Sequence, residues 1–73
     1  MIVPGPLHPS EHPMRETVLA KGELATIVIV TTDAGTEVLD GEDELLESHP
    51  EDRHAEILAR YLAEGWEIEE DGP

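Results

Sequence analysis

Histidine, serine and carboxylate side chains are the groups in this sequence that could do chemistry. His49 and His54 are five residues apart, whereas two ligands of one metal on a helix need a spacing of three or four. His8 and His12 have the right spacing, but the prolines around them prevent a helix. The sequence therefore predicts no dedicated zinc site.

The acidic residues 40–44 could supply oxygen ligands for calcium, but they lack the EF-hand pattern. An EF-hand loop needs a glycine at its sixth position. Counted from Asp33 or from Asp40, that position holds Val38 or Leu45. The glycines are also too scattered to form a phosphate-binding loop. We therefore expect no metal and no cofactor.

Catalytic groups are equally sparse. Ser10 lies in a proline-rich segment, and Ser48 is better suited to capping a helix than to acting as a nucleophile. The many carboxylates fall in hydrated runs, where nothing would separate their pKa values into an acid and a base. The sequence predicts that the protein is not an enzyme.

Charge is the dominant property of the chain. Eighteen Asp and Glu face four Lys and Arg in 73 residues, giving a net charge of −14. Nucleic acids and anionic membranes would repel such a surface, so direct binding to either is not expected. Neither a signal peptide pattern nor an apolar run long enough to span a membrane is visible, which indicates a cytoplasmic protein.

A basic protein surface is the partner that this charge favours. We predict a small non-catalytic binding module, a regulator or inhibitor, that docks through its carboxylates and gains association rate from electrostatic steering. One version is mimicry of nucleic acid toward an enzyme such as a polymerase or nuclease. The predicted contact residues are Glu42, Asp43, Glu44, Glu47, Glu51, Asp52 and Glu56.

The elements that must position these groups can be read from the apolar pattern. Strands are predicted at 16–20, 24–32 and 36–40, with a three-residue turn at 33–35. Residues 42–47 are predicted as a helical turn or loop.

A helix is expected next. Ser48 would be its N-cap, Pro50 would lie in its first turn and Gly65 would end it. Alternation of apolar and acidic residues predicts a last strand at 66–69.

The resulting fold class is α+β: a small antiparallel β-sheet of three to four strands with one α-helix packed on one face. The predicted organisation is a flexible proline-rich arm at 1–14, one domain at 15–70 and a tail at 71–73.

The strand at 24–32 is apolar on both faces, and one helix can cover only one of them. We therefore expect a homodimer, with Ile27, Ile29 and Trp66 as interface or core anchors. The alternative to the binding module follows from this face. In that alternative the protein is a structural or assembly subunit whose apolar sheet face is the working surface, and its acidity serves only solubility or salt adaptation.

Overall fold

The computed structural model describes residues 14–23 and 25–72. Apart from Met14, the predicted arm lies outside these ranges, as do Leu24 and Pro73. The described part forms five strands and one helix: β1 (Arg15–Lys21), β2 (Ala25–Thr32), β3 (Gly35–Asp40), β4 (Leu45–His49), α1 (His54–Ala63) and β5 (Glu67–Gly72). All neighbouring strands are antiparallel, in the order β4-β3-β2-β1-β5. The α+β class is confirmed, whereas the prediction of three to four strands is wrong.

The missing strand is β4, which occupies much of the segment predicted to be a helical turn or loop. A tight turn brings it back against β3: the Asp40 carboxylate accepts hydrogen bonds from the backbone N–H groups of Glu42 and Glu44. Asp43 adopts a φ of 67°, a left-handed conformation that Asp tolerates better than most residues. The sequence did not indicate this hairpin, because acidic residues have low strand propensity and β4 forms through its pairing with β3.

Pairing of β4 also moves the start of the helix. Ser48 lies in β4 opposite Glu37, so the prediction that it caps the helix is wrong. The helix begins at His54, where the Asp52 carboxylate accepts the hydrogen bond of the His54 backbone N–H at 3.0 Å. The predicted end is confirmed: Gly65, with a φ of 101°, follows the last turn and donates its N–H to the Leu62 carbonyl.

Strand β5 is longer than the sequence indicated. It pairs with β1 from Glu67 to Gly72 and therefore includes Asp71, which the sequence placed in a tail. An ion pair between Arg15 and Asp71, 2.9 Å apart, joins the two strands near the start of β1. Sequence pattern misses this extension because a run of acidic residues has low strand propensity.

Inward positions on β1, β2 and β3 alternate with outward ones. Leu19, Ile29 and Val38 are fully buried, and they cluster with Ile57 and Leu58 of α1. No helix in the described ranges is long and apolar enough to cross a membrane. The face of the sheet that carries Leu19, Ile29 and Val38 is called the core face below.

The β2–β3 connection places a glycine against another strand. Thr32 pairs with Gly35, so the loop has two residues rather than the predicted three. Gly35 has a φ of 130°, and a Cβ built on it would collide with the backbone carbonyl of His49 in β4. Only glycine fits this crossing of backbones.

Replacing Gly35 by alanine should therefore destabilise the fold strongly. Both the unfavourable φ and the collision with β4 oppose it, and we expect a loss of about 3 kcal/mol or more in urea unfolding. Gly22→Ala is the matched control, since Gly22 also has a positive φ but open space around it; its expected cost is about 1 kcal/mol. Equal losses in the free energy of unfolding for the two variants would contradict the close approach of Gly35 to the His49 carbonyl.

Candidate functional site

A buried chain of polar side chains crosses the core face. His54, at the start of α1, is only 2% exposed, and its two ring nitrogens reach two different strands. Nε2 lies 2.8 Å from the hydroxyl of Thr17 in β1, and Nδ1 lies 2.8 Å from the hydroxyl of Thr31 in β2. The chain continues from Thr31 to Thr36 in β3 at 2.9 Å, and from Thr17 to the Asp71 carboxylate in β5 at 2.7 Å.

The carboxylate at one end of this chain assigns its protons. Thr17 donates its hydroxyl proton to Asp71, so the Thr17 oxygen must accept from His54 Nε2–H. In the neutral ring Nδ1 is then the acceptor, and Thr31 donates to it. Burial lowers the pKa of His54, and Arg15 lowers it further, while Asp71 and Asp52 act in the opposite direction. Burial thus favours the neutral, Nε2-protonated imidazole.

At the surface end of the chain, the Asp71 carboxylate is held in its charged form. Arg15 donates two hydrogen bonds to it and Thr17 donates a third. These hydrogen bonds from Arg15 and Thr17 lower the pKa of Asp71 to about 2. Asp71 is therefore ionised throughout the range in which the protein would work.

The polar chain connects elements rather than presenting a reactive group. The ring of His54 is buried and both of its nitrogens are engaged, so it cannot reach a substrate. Sequence reasoning considered His54 only as a metal ligand and overlooked the threonines. The available signal was the occurrence of Thr17, Thr31 and Thr36 at inward positions of strands, where apolar residues are usual.

The seven predicted contact carboxylates fall into two groups. In the first group, Glu51 and Glu56 pair with Arg53, at 2.6 and 3.5 Å. Glu47 pairs with Arg60 and, at 3.1 Å, with His49. The hydrogen bond from His49 and the charge of Arg60 lower the pKa of Glu47. Asp52 accepts the His54 N–H, so all four carboxylates of this group already have partners within the chain.

The second group lies together at the β3–β4 turn. Glu42, Asp43 and Glu44 are exposed, and within the described ranges none of them forms an ion pair. We call residues 40–44 the acidic turn. Its backbone is fixed by the Asp40 carboxylate and by the hydrogen bond between Asp40 N–H and the Glu44 carbonyl. The structure thus brings together three of the seven predicted residues.

A shallow groove of about 520 Å³ runs beside the acidic turn. Trp66 forms one wall; its ring lies edge-on to Tyr61, with centroids 5.6 Å apart, and Lys21 lies 5.9 Å from its centroid. The remaining lining combines acidic and apolar groups: Ala25, Thr26, Ile27, Asp40, Gly41 and Glu42. The groove therefore places the carboxylates of Asp40 and Glu42 beside alkyl groups and an aromatic ring that Lys21 already contacts from within the chain.

The predicted anchors occupy different environments. Ile27 and Ile29 belong to the core cluster, 5% and 0% exposed, and so are not available on a free surface. Trp66 is partly buried and packs against that cluster while it borders the groove. Among residues 14–23 and 25–72, no three His, Asp or Glu side chains are grouped so as to hold a metal ion.

Removing one hydroxyl from the buried chain tests its importance. Thr17→Val keeps the shape of the side chain but leaves His54 Nε2–H without its acceptor and removes a donor from Asp71. We expect a loss of about 1–3 kcal/mol in urea unfolding. Thr26→Val, at an exposed position of β2, should stay within about 0.5 kcal/mol of wild type. A Thr17 variant as stable as the Thr26 variant would show that the buried hydrogen bonds contribute nothing to the free energy of unfolding.

The low pKa of Asp71 predicts how stability depends on acid. Its pKa is about 2 when folded and 3.8 ordinarily, so the charged form stabilises the fold above the ordinary value. This contribution is lost as the pH falls from 3.8 toward 2. The stability difference between wild type and Asp71→Asn should be constant above about pH 5 and shrink below it, as measured by denaturant unfolding. A stability difference between the two proteins that does not change with pH would contradict the lowered pKa of Asp71.

Comparisons of the chain with protein-family models, with curated protein sequences and with solved structures find no match.

Proposed function

We propose that this protein is a small acidic, non-catalytic binding module, a regulator or inhibitor that docks on a basic protein surface. The observation that carries the proposal is how the charges are divided. All three arginines are engaged with carboxylates of the same chain: Arg15 with Asp71, Arg53 with Glu51 and Glu56, and Arg60 with Glu47. The acidic turn has no such partner in the described ranges.

The acidic turn and the groove beside it form the proposed contact. Glu42, Asp43 and Glu44 would steer a cationic surface toward the protein from a distance, because uncompensated charges at a protruding turn raise association rates. A lysine or arginine of the partner would then lie in the groove, with its alkyl stem against Trp66 and its charge near Asp40 and Glu42.

Mimicry of nucleic acid is a narrower version of the same proposal. The partner would then be a protein that normally binds phosphates, such as a polymerase or nuclease. The hydrogen bonds that fix the acidic turn support this version, since carboxylates on an ordered backbone can present charge at fixed positions. Competition of the protein with DNA for its captured partner would distinguish mimicry from docking elsewhere.

We further propose that α1 covers the core face alone and leaves the other face of the sheet available. The buried residues of α1, namely His54, Ile57 and Leu58, associate with inward residues of the strands. The alternative function, a subunit that assembles through its sheet, would use that second face. Dimerisation remains a prediction that sedimentation of the purified protein can test.

Neutralising the acidic turn tests the proposed contact. The variant E42Q/D43N/E44Q removes three charges without changing shape, and it should lose most of the partner captured from a lysate of the source organism. Wild-type capture should weaken steeply as salt rises through about 0.15–0.5 M, where charges are screened over less than about 8 Å.

Glu51→Gln/Glu56→Gln is the matched control, since both side chains already pair with Arg53. It should retain capture. A partner that is held equally by wild type and the turn variant, or that resists high salt, would overturn the charge-driven contact.

A further inference from the structure

The face of the sheet opposite the core carries its own apolar surface. Because side chains alternate along a strand, the neighbours of Leu19, Ile29 and Val38 point away from the core. These neighbours are apolar to an unusual extent for an uncovered sheet. We call this surface the open face, and its apolar members are Val18, Val28, Val30, Leu39 and Leu45.

Strand register arranges four of these residues in a continuous row. Val18 pairs with Val28, Val28 with Leu39, and Leu39 with Leu45, so the row crosses β1, β2, β3 and β4. At a strand spacing of about 4.8 Å it spans about 14 Å. The three inner residues are half-buried by their neighbours, while Leu45 is 51% exposed. The row is long enough to receive about ten residues of a helix.

Carboxylates border this apolar row. The next cross-strand row is Glu16, Val30 and Glu37, and Glu70 of β5 pairs with Val18 at the end of the first row. A groove of about 240 Å³ between β1 and β5 is lined by Glu16, Val18, Glu70, Asp71 and Gly72. In the described ranges, Glu16, Glu37 and Glu70 form no ion pair.

This border decides what can cover the open face. A second copy of the chain would bring its own −14 charge and its own Glu16, Glu37 and Glu70 against the same residues. Residues 1–13 contain no Lys or Arg with which to pair the border. An anionic membrane would be repelled. A partner that is apolar along its centre and cationic along its margins satisfies both parts of the surface.

We infer that the open face binds a basic amphipathic helix of another protein. The helix lays its apolar stripe along Val18, Val28, Leu39 and Leu45, and its lysines or arginines pair with Glu16, Glu37 and Glu70. This inference rests on the proposed function and adds to it a second contact and the kind of element that the partner presents. Apolar burial would then supply the affinity, and the acidic turn would supply the steering.

A designed probe tests this contact without the natural partner. The probe is an 18-residue helical peptide of Leu and Lys, with its leucines on one face. Titrated into the full-length protein, it should shift the backbone NMR signals of Val18, Val28 and Leu39 in a saturable way. Its counterpart with Glu in place of Lys should not bind, and a scrambled Leu/Lys peptide should bind at least tenfold more weakly.

Variants on the two parts of the surface make the test specific. V28T/L45S changes the apolar row, and E16Q/E70Q changes its border; each should weaken binding of the Leu/Lys peptide at least tenfold. Leu62→Ser is the control for the row, because Leu62 is an exposed leucine on α1. Glu64→Gln, at the end of α1, is the control for the border. Both controls should bind as wild type does, and thermal unfolding checks that all variants are folded.

Three outcomes would overturn the inference. In the first, the Leu/Lys peptide shifts only residues 40–44, which leaves the proposed function standing and removes the open face from it. In the second, the protein sediments as a dimer that V28T/L45S dissociates, so that a second copy covers the face. In the third, NMR contacts join residues 1–13 to Val28 in the free protein. Failure of the proposed function would give a different result, because capture of a partner from the lysate would then persist after the acidic turn is neutralised.

Discussion

The fold depends on one buried imidazole that joins a helix to two strands. His54 links α1 to Thr17 and Thr31, and these threonines extend the connection to Asp71 in β5 and Thr36 in β3. Thr36 also accepts the Arg53 N–H and lies 3.1 Å from the Glu51 carbonyl oxygen, which fixes the loop before α1. In the part of the chain that the structure describes, the apolar core contains six buried side chains, and the polar chain adds hydrogen bonds that join the helix to every strand except β4. Each of its members has a hydrogen-bond partner, as burial of polar atoms requires.

The small number of basic side chains determines how charge is distributed over the protein. Few cations are present, and each arginine pairs with a carboxylate of the same chain: Arg15 links β1 to β5, Arg60 links α1 to β4, and Arg53 pairs with Glu51 before α1. Lys21, the remaining basic side chain, lies against Trp66, and in the described ranges no ion pair involves the carboxylates of the acidic turn or Glu16, Glu37 and Glu70 of the open face. Carboxylates without an ion pair therefore occur in both of these surfaces, where they remain free to act on a partner.

Periodicity predicted the central hairpin and the end of the helix, because β-branched runs and a terminal glycine act locally. It failed at β4 and at the last residues of β5, where acidic residues such as Glu47 and Glu70 lie in strands only through pairing with β3 and β1. The helix start was misplaced for the same reason, since Ser48 is held in a strand. Of the contact residues, Glu42, Asp43 and Glu44 could be grouped from sequence by adjacency. The engagement of Glu47, Glu51 and Glu56 with arginines depends on tertiary geometry, and so does the row formed by Val18, Val28, Leu39 and Leu45.

The sheet ends on two edge strands, β4 and β5, and an edge strand with one free side can pair with another molecule and start a fibre. Each edge carries an extra residue that interrupts its ladder: Leu46 in β4, opposite the Val38–Leu39 step, and Glu69 in β5, opposite the Val18–Leu19 step. Strand β5 adds a line of glutamates, so that a second molecule approaching edge to edge meets both an irregular backbone and a negative barrier. The irregular edges and the glutamates of β5 therefore oppose the addition of further chains at the sheet edges, the route by which so apolar a central strand would otherwise lead to aggregation.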